Sequence, residues 1–296
     1  MKYPENIEPC TSVSDSEISR WDQVTQVAIV GFGGAGGCAA IAAADNNANV
    51  ELFEVASASG GSTALSSAEI YLGGSGCTRV QRACGFEDST EDMFSYMMMC
   101  AGPQADEKKI RNYCENAVEH FNWLSDTLGV PFKDSFHQER AIMCLTDDGL
   151  LYTGSEKAYP FSEHAKPCPR GHNLHVEGDN GGPMFMGIVT ENVEKRKNIN
   201  INYECRALTL IKNEIGRVVG LVVRENQKLK TIRADLGVIL CAGGFVMNEK
   251  MVRKFAPKLS AGTQPIGNPG DTGSGVLMGM GAGGSTVNMH EGFISL

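Results

Sequence analysis

Long apolar runs are missing from this chain of 296 residues. No stretch approaches the roughly 18 apolar residues that a membrane-spanning helix requires. The first twenty residues are polar with acids spread through them, so the apolar centre of a secretory signal is absent too. Basic residues are in the minority: 26 Lys and Arg stand against 35 Asp and Glu, a net charge of −9. That balance argues against a general nucleic-acid or anionic-membrane surface, so neither a nucleic-acid partner nor a membrane span is expected. The ten cysteines include no C-x-x-C pair, which leaves neither a disulfide framework nor a paired zinc motif. Cys38 and Cys241 fall in a predicted helix and at the end of an apolar strand, where cysteine acts as a small apolar group, and a reduced, cytoplasmic setting is expected. Cys168, His172 and His175 lie in a Pro/Gly-rich stretch with no second cysteine pair, and no metal site is expected.

Glycine is abundant, with 35 in the chain. The most informative lie in Val27-Ala28-Ile29-Val30-Gly31-Phe32-Gly33-Gly34-Ala35-Gly36, where an apolar strand runs into G-x-G-x-x-G and an alanine-rich helical segment follows. A second β-type run, Val50–Phe53, ends on an acid, Glu54. This order is what a dinucleotide site needs. Gly31 permits the tight turn, Gly33 lets backbone approach a pyrophosphate, and Gly36 lets helix and strand pack closely. The helix start offers N–H groups to the anion, and Glu54 is placed to accept from a ribose.

The rest of the chain predicts an α/β organisation. A loose leader is expected over residues 1–22 and one large domain over 23–288, with a helical and loop insertion at 85–183. Residues 106 to about 128 read as an amphipathic helix with Ile110, Tyr113, Ala117, Val118, Phe121, Leu124 and Leu128 on one stripe and Gly129 as its stop. Leu145 to Tyr152 reads as a hairpin around Asp147-Asp148-Gly149. The stretch from Gly154 to Pro183 shows no period; Arg170 and His172 within it are equally consistent with substrate contacts and with solvated loop residues. A helix over Met184–Lys197 is followed by β-type runs at Ile199–Tyr203, Ala207–Ile211, Val218–Val223 and Lys230–Arg233, then by the apolar run Leu236–Cys241 with Gly243-Gly244 after it. A β-meander placed between the fingerprint and a later sheet strand is more typical of flavin-binding than of nicotinamide-binding folds.

Five segments together resemble the fumarate reductase/succinate dehydrogenase flavoprotein superfamily, with the greatest likeness to its ketosteroid dehydrogenase branch: VAIVGFGGAGGCAA, FEVASASGGSTALSSAEIYLGG, PCPRGH, VILCAGGF and GDTGSG. The resemblance implies a Rossmann-like FAD-binding domain, a parallel sheet with a β-meander, and noncovalent FAD, since no His sits in the early glycine segments. It implies that Gly31, Gly33, Ala35 and Gly36 hold the pyrophosphate, while Glu54, with Val55 and Ala56 beside it, holds the adenosine ribose. Gly61, Ser62, Thr63 and Ala64 would contact pyrophosphate, ribityl and flavin edge, and Gly73 and Gly74 would lie by the isoalloxazine ring. Ala207 would meet the adenine, Ala242 and Gly243 would pass the nucleotide half, and Asp271 would belong to the last cofactor segment.

The chain departs from the family pattern at Ser67-Ala68, where a Gly pair is common, and at Ser274, where an Asp is common. It is also expected to stop short of the family's capping domain, with residues 289–296 its first part and the catalytic acid or base beyond Leu296. The implied activity is FAD-dependent hydride transfer at a carbon–carbon bond next to a carbonyl, with a ketosteroid-like substrate and an electron acceptor the sequence does not identify. Two alternatives stand beside it: reduction of an unsaturated carboxylate of the fumarate or urocanate kind, and a non-catalytic FAD-binding fragment. Ser295, where the dicarboxylate branch carries a His, favours the ketosteroid reading.

Overall fold

A computed structural model describes residues 7–139, 145–262 and 264–292. In chain order these begin with β1 (Val13–Ser14), β2 (Gln23–Val30), α1 (Gly34–Asp45) and β3 (Val50–Phe53). A middle stretch holds β4 (Ile70–Tyr71), α2 (Arg79–Ala83), α3 (Thr90–Ala101), α4 (Glu107–Asn122), β5 (Leu150–Leu151), α5 (Phe161–His164), β6 (Gly171–His172) and α6 (Gly181–Glu194). The chain closes with β7 (Ile199–Asn202), β8 (Cys205–Lys212), β9 (Val218–Glu225), β10 (Lys228–Leu240), α7 (Glu249–Phe255) and α8 (Ser274–Gly281).

Two compact units divide the chain, one made of residues 1–65 and 189–296 and the other of 66–188. The second unit starts at Ser66 and includes Gly73 and Gly74. Within the first unit seven strands form one sheet in the order β1-β8-β9-β10-β2-β3-β7. β10, β2, β3 and β7 run parallel, while β8, β9 and β10 form an antiparallel meander. Val27–Val30 is apolar at every position because the centre of a parallel sheet is covered on both faces. One face carries Ala28, Val30, Phe53, Leu221, Val223 and Ile232 against Met278 of α8. On α1, a methyl at Gly37 would fall 2.3 Å from Val189 Cγ1, so the glycine lets α1 and the residues of α6 in this unit approach closely.

The meander holds a difference from the sequence reading. Lys230–Arg233 and Leu236–Leu240 are one thirteen-residue strand with a register shift between Ala234 and Gly237. Asn226 and Gln227 turn it back from β9 with both φ angles positive, the two-residue hairpin whose twist matches its strands. The expected loose leader is different too: Val13–Ser14 pairs with Ile211–Lys212 at the sheet edge, and Cys10 N–H donates to Leu277 O at 3.0 Å.

In the second unit, α4 confirms the amphipathic stripe only in part. Cys114, Ala117, Phe121 and Leu124 are buried, whereas Tyr113 is exposed and its hydroxyl donates to Tyr71 O at 2.6 Å. The helix runs into a π-turn, Trp123–Thr127, before Gly129 stops it at φ +77°. The hairpin expected at Leu145–Tyr152 does not form. Leu150–Leu151 pairs instead with Gly171–His172, which pairs on its other side with Ile70–Tyr71. The aperiodic stretch is thus interior over residues 168–174, where its own strand supplies the centre of a small sheet, and exposed at positions on either side. Among the described residues no helix is long and apolar enough to cross a membrane, no disulfide forms, and no cluster of three or more His, Cys, Asp or Glu is arranged for a metal.

Candidate cofactor-binding site

The first unit carries an open cleft where β2, β3 and β10 end and β8, α1 and α8 begin. Open parallel sheets bind ligands at this edge, beyond the carboxyl ends of their strands. Gly31 turns the chain at φ +101°, and a methyl there would fall 2.4 Å from Cys241 O, so only glycine permits the approach of β2 to β10. A methyl at Gly36 would fall 1.8 Å from Gly31 O, which makes Gly36 the packing glycine of the corner. Gly33 differs from both: nothing in the protein lies nearer than 3.7 Å to a methyl placed on it. Its backbone faces the cleft, as a backbone held open for a ligand should.

The first turn of a helix leaves N–H groups that its own carbonyls cannot reach. Thr63 Oγ1 takes the one from Gly34 at 3.1 Å, while Gly33, Gly34 and Ala35 all line the cleft. Just past the end of β3, Glu54 is fixed by two backbone donors, Phe32 N–H at 2.7 Å and Ala56 N–H at 2.8 Å, one to each carboxylate oxygen. Each oxygen keeps a lone pair, so the carboxylate remains able to accept from a vicinal diol.

Of the residues assigned by sequence, the cleft gathers Gly31, Gly33, Ala35, Glu54, Val55, Gly61, Ser62, Thr63, Ala207, Ala242, Gly243 and Asp271 along its walls. Gly36, Ala56 and Ala64 stand behind that lining: Gly36 by packing, Ala56 by its bond to Glu54, and Ala64 by the turn bond from its N–H to Gly60 O. The sequence reading missed Arg206, Asn268, Gly270 and Thr272. Arg206 is the one Lys or Arg among the described lining residues, and its position next to Ala207 was the available signal. Burial raises the Cys241 thiol and pushes Cys205 up to about 11, which favours the protonated thiol in both lining cysteines.

The second unit receives the remaining assignments. Arg170 and His172 are fully buried and face protein on all sides. Arg170 makes a two-pronged pair with Asp88, Nε to Oδ2 at 2.8 Å and a terminal nitrogen to Oδ1 at 2.6 Å. Burial works against its charge, yet the bonds to Asp88 and the proximity of Tyr71 hold its pKa above the ordinary value. Gly74 N–H and Ser89 N–H donate to the same carboxylate, each at 2.9 Å. A methyl at Gly73 would fall 2.6 Å from Asp88 Oδ2, so this glycine makes room for the pair. His172 Nδ1–H donates to Arg170 O at 2.9 Å, and Nε2 accepts from Thr78 at 2.7 Å. Burial depresses its pKa to about 4 and keeps it neutral. Neither side chain presents a surface for substrate. Ser295 lies outside the described residues.

The arrangement suits a dinucleotide on structural grounds: a glycine corner with free approach at Gly33, a helix start, and a carboxylate oriented for a diol. A protein-family model described as the FAD binding domain matches residues 26–295. The chain is 27% identical to the 3-oxo-5-alpha-steroid 4-dehydrogenase of Comamonas testosteroni over 228 residues, covering 75% of this chain and 42% of that protein. It is 28% identical over 267 residues to a cytochrome-type fumarate reductase of Shewanella frigidimarina, covering 89% and 41% respectively. Among solved structures, the 3-ketosteroid-delta4-(5alpha)-dehydrogenase from Rhodococcus jostii RHA1, in complex with 4-androstene-3,17-dione, superposes with a TM-score of 0.88 at 41% identity, covering 95% of this chain and 58% of that one. The chain spans about two-fifths of the length of these curated relatives.

Proposed function

This chain belongs to the FAD binding domain family, and on that premise we propose that it holds FAD noncovalently for an oxidoreductase acting on a carbon–carbon bond beside a carbonyl, with a 3-ketosteroid as the substrate class. The supporting observation is the 41% identity, extending over 95% of the chain, to a ketosteroid dehydrogenase of the same architecture. When bound, the flavin supplies the hydride acceptor or donor. The chain's own residues bind and orient. Gly31, Gly33 and the start of α1 receive the pyrophosphate with backbone N–H groups. Glu54 accepts from the adenosine ribose, and Ala207 offers backbone to the adenine. Arg206 supplies positive charge to a lining that otherwise carries Glu54 and Asp271.

The reading is tested by the absorbance of the purified chain and by anaerobic mixing with a 3-ketosteroid. Flavin bands that bleach with the steroid, and stay unchanged when the reduced protein is offered fumarate, are the expected result. Reoxidation by fumarate without any response to steroid would favour unsaturated-carboxylate reduction, the reaction class named for the Shewanella relative. A flavin that responds to neither would leave a binding module, and a colourless protein that takes up no added FAD would end the reading.

A further inference from the structure

Two cleft-lining segments that are 209 residues apart in sequence are tied together by side chains. Ser62, in the short helical turn Gly61–Leu65, donates its hydroxyl to Asp271 Oδ2 at 2.5 Å. Asn268 N–H is shared between them, at 3.0 Å from Ser62 Oγ and 3.1 Å from Asp271 Oδ2. The space around this carboxylate is reserved by glycine on two sides. A methyl at Gly243 would fall 2.2 Å from Asp271 Oδ1, and one at Gly267 3.0 Å from Oδ2. The Asp271 segment is anchored to the stretch that follows β10 by Met247 N–H to Asp271 O at 3.0 Å and Gly273 N–H to Gly244 O at 2.7 Å.

The other partner rests on the anion site. Gly61 packs against Gly33, with 3.3 Å between its added methyl and Gly33 Cα, and Thr63 Oγ1 holds the Gly34 N–H of α1. Wherever Ser62 is held, the turn that shapes the helix start is held too. Electrostatics sharpen the point. A second carboxylate in a cleft for a pyrophosphate opposes anion binding, so its presence there calls for a different role.

We propose that Ser62 and Asp271 form a clasp that fixes the turn and the Asn268–Asp271 loop in their ligand-receiving geometry before FAD arrives. Both are positioning residues in this role. The inference rests on the cleft being the FAD site. Ligand affinity falls in proportion to the fraction of protein in the competent form, so loosening the clasp weakens binding and slows association while the backbone contacts stay in place.

The test uses the full chain stripped of flavin, with Ser62→Ala, Asp271→Ala, the double variant and Asp271→Asn. FAD binding is followed by flavin fluorescence, and cleavage of the 264–273 loop by protease is followed without ligand. Each single alanine variant is expected to weaken FAD about tenfold, chiefly through the association rate, and to speed ligand-free cleavage. The double variant is expected to be no weaker than the worse single, because both remove one interaction. Asp271→Asn keeps an acceptor for Ser62 and is expected within about threefold of the parent. Additive losses with unchanged ligand-free cleavage would mean two independent ligand contacts and overturn the clasp, as would parent-like affinity in both single variants or an Asp271→Asn as weak as Asp271→Ala. If the parent binds no FAD, the functional reading falls alone. Coupling of Ser62 and Asp271 in ligand-free cleavage then supports the clasp, and independent effects overturn it.

Discussion

Gly33 in one unit and Gly73 in the other sit in small-residue stretches that look alike in sequence, yet a methyl group would meet different neighbours at each. At Gly33 nothing lies closer than 3.7 Å, and the position lines an open cleft. At Gly73 the Asp88 carboxylate would be 2.6 Å away and Arg170 Cγ 3.1 Å. The charges divide in the same way. Glu54 is half-buried, spends one lone pair per oxygen on backbone, and keeps capacity toward the cleft. The Asp88 side chain is buried, and the guanidinium of Arg170, two backbone N–H groups and Gln81 converge on it. In one unit, glycine and carboxylate are arranged around space; in the other they are arranged around protein.

The largest expected effect breaks the second arrangement. Asp88→Ala strands the Arg170 guanidinium in the interior, and losing one partner of a buried pair costs about 3–5 kcal/mol. Chemical denaturation of the second unit should show that loss, and a change below about 1 kcal/mol would mean the pair is not the keystone described here. Gly33→Val should do the reverse. It fills ligand space rather than protein space, so FAD affinity should fall by a hundredfold or more, about 3 kcal/mol, while the unfolding midpoint barely moves. If Gly33→Val unfolds the chain instead, the contrast between the two glycines fails.

Acid sharpens the comparison further, because the polar interior of the second unit contains a titrating group. His172 is neutral when folded, with a pKa near 4 against an ordinary 6.5. A depressed histidine pKa means that the unfolded chain takes the proton first. Its contribution is complete above about pH 6.5 and is lost progressively as the pH falls toward 4, a total of about 3 kcal/mol. Stability measured from pH 7 down to pH 4 should show this slope, and His172→Gln should flatten it. An unchanged slope in that variant would assign the acid sensitivity elsewhere.

How much of this was legible in the sequence follows from the same contrast. The corner at Gly31–Gly36 and the acid at Glu54 were readable because a local pattern, strand then turn then helix then strand then acid, forces their geometry. Asp271 and Ala207 came only through likeness to a family, since nothing local links them to residues far away in the chain. The hairpin placed at Leu145–Tyr152 failed because the strand partner of Leu150–Leu151 is Gly171–His172, and short strands choose partners by tertiary packing. Arg170 and His172 were open to a substrate role because sequence does not report burial; Asp88, which claims Arg170, lies 82 residues earlier. The sheet role of Val13–Ser14 was invisible for the same reason, as two residues carry no period.

The smallest expected effect tests whether Glu54 differs from Asp88 in kind or only in degree. In Glu54→Gln one carboxylate oxygen becomes an amide NH₂, yet both oxygens now accept from backbone N–H groups, of Phe32 and Ala56. The amide can satisfy only one of them, and its nitrogen must face a donor or swing into the cleft. One backbone bond and one acceptor for the diol are lost together, which at roughly 1–1.5 kcal/mol amounts to about a tenfold weaker FAD complex. With the remaining amide oxygen kept on the buried Phe32 N–H, the one left over belongs to exposed Ala56 and can find water, so ligand-free stability should change little. The matching Asp88→Asn has no water to turn to, so its cost should appear in folding. Flavin titration and denaturation of both variants read the two costs separately. If Glu54→Gln loses stability as Asp88→Asn does, while keeping its grip on FAD, Glu54 is a structural brace of the corner and the ribose must be held by other atoms.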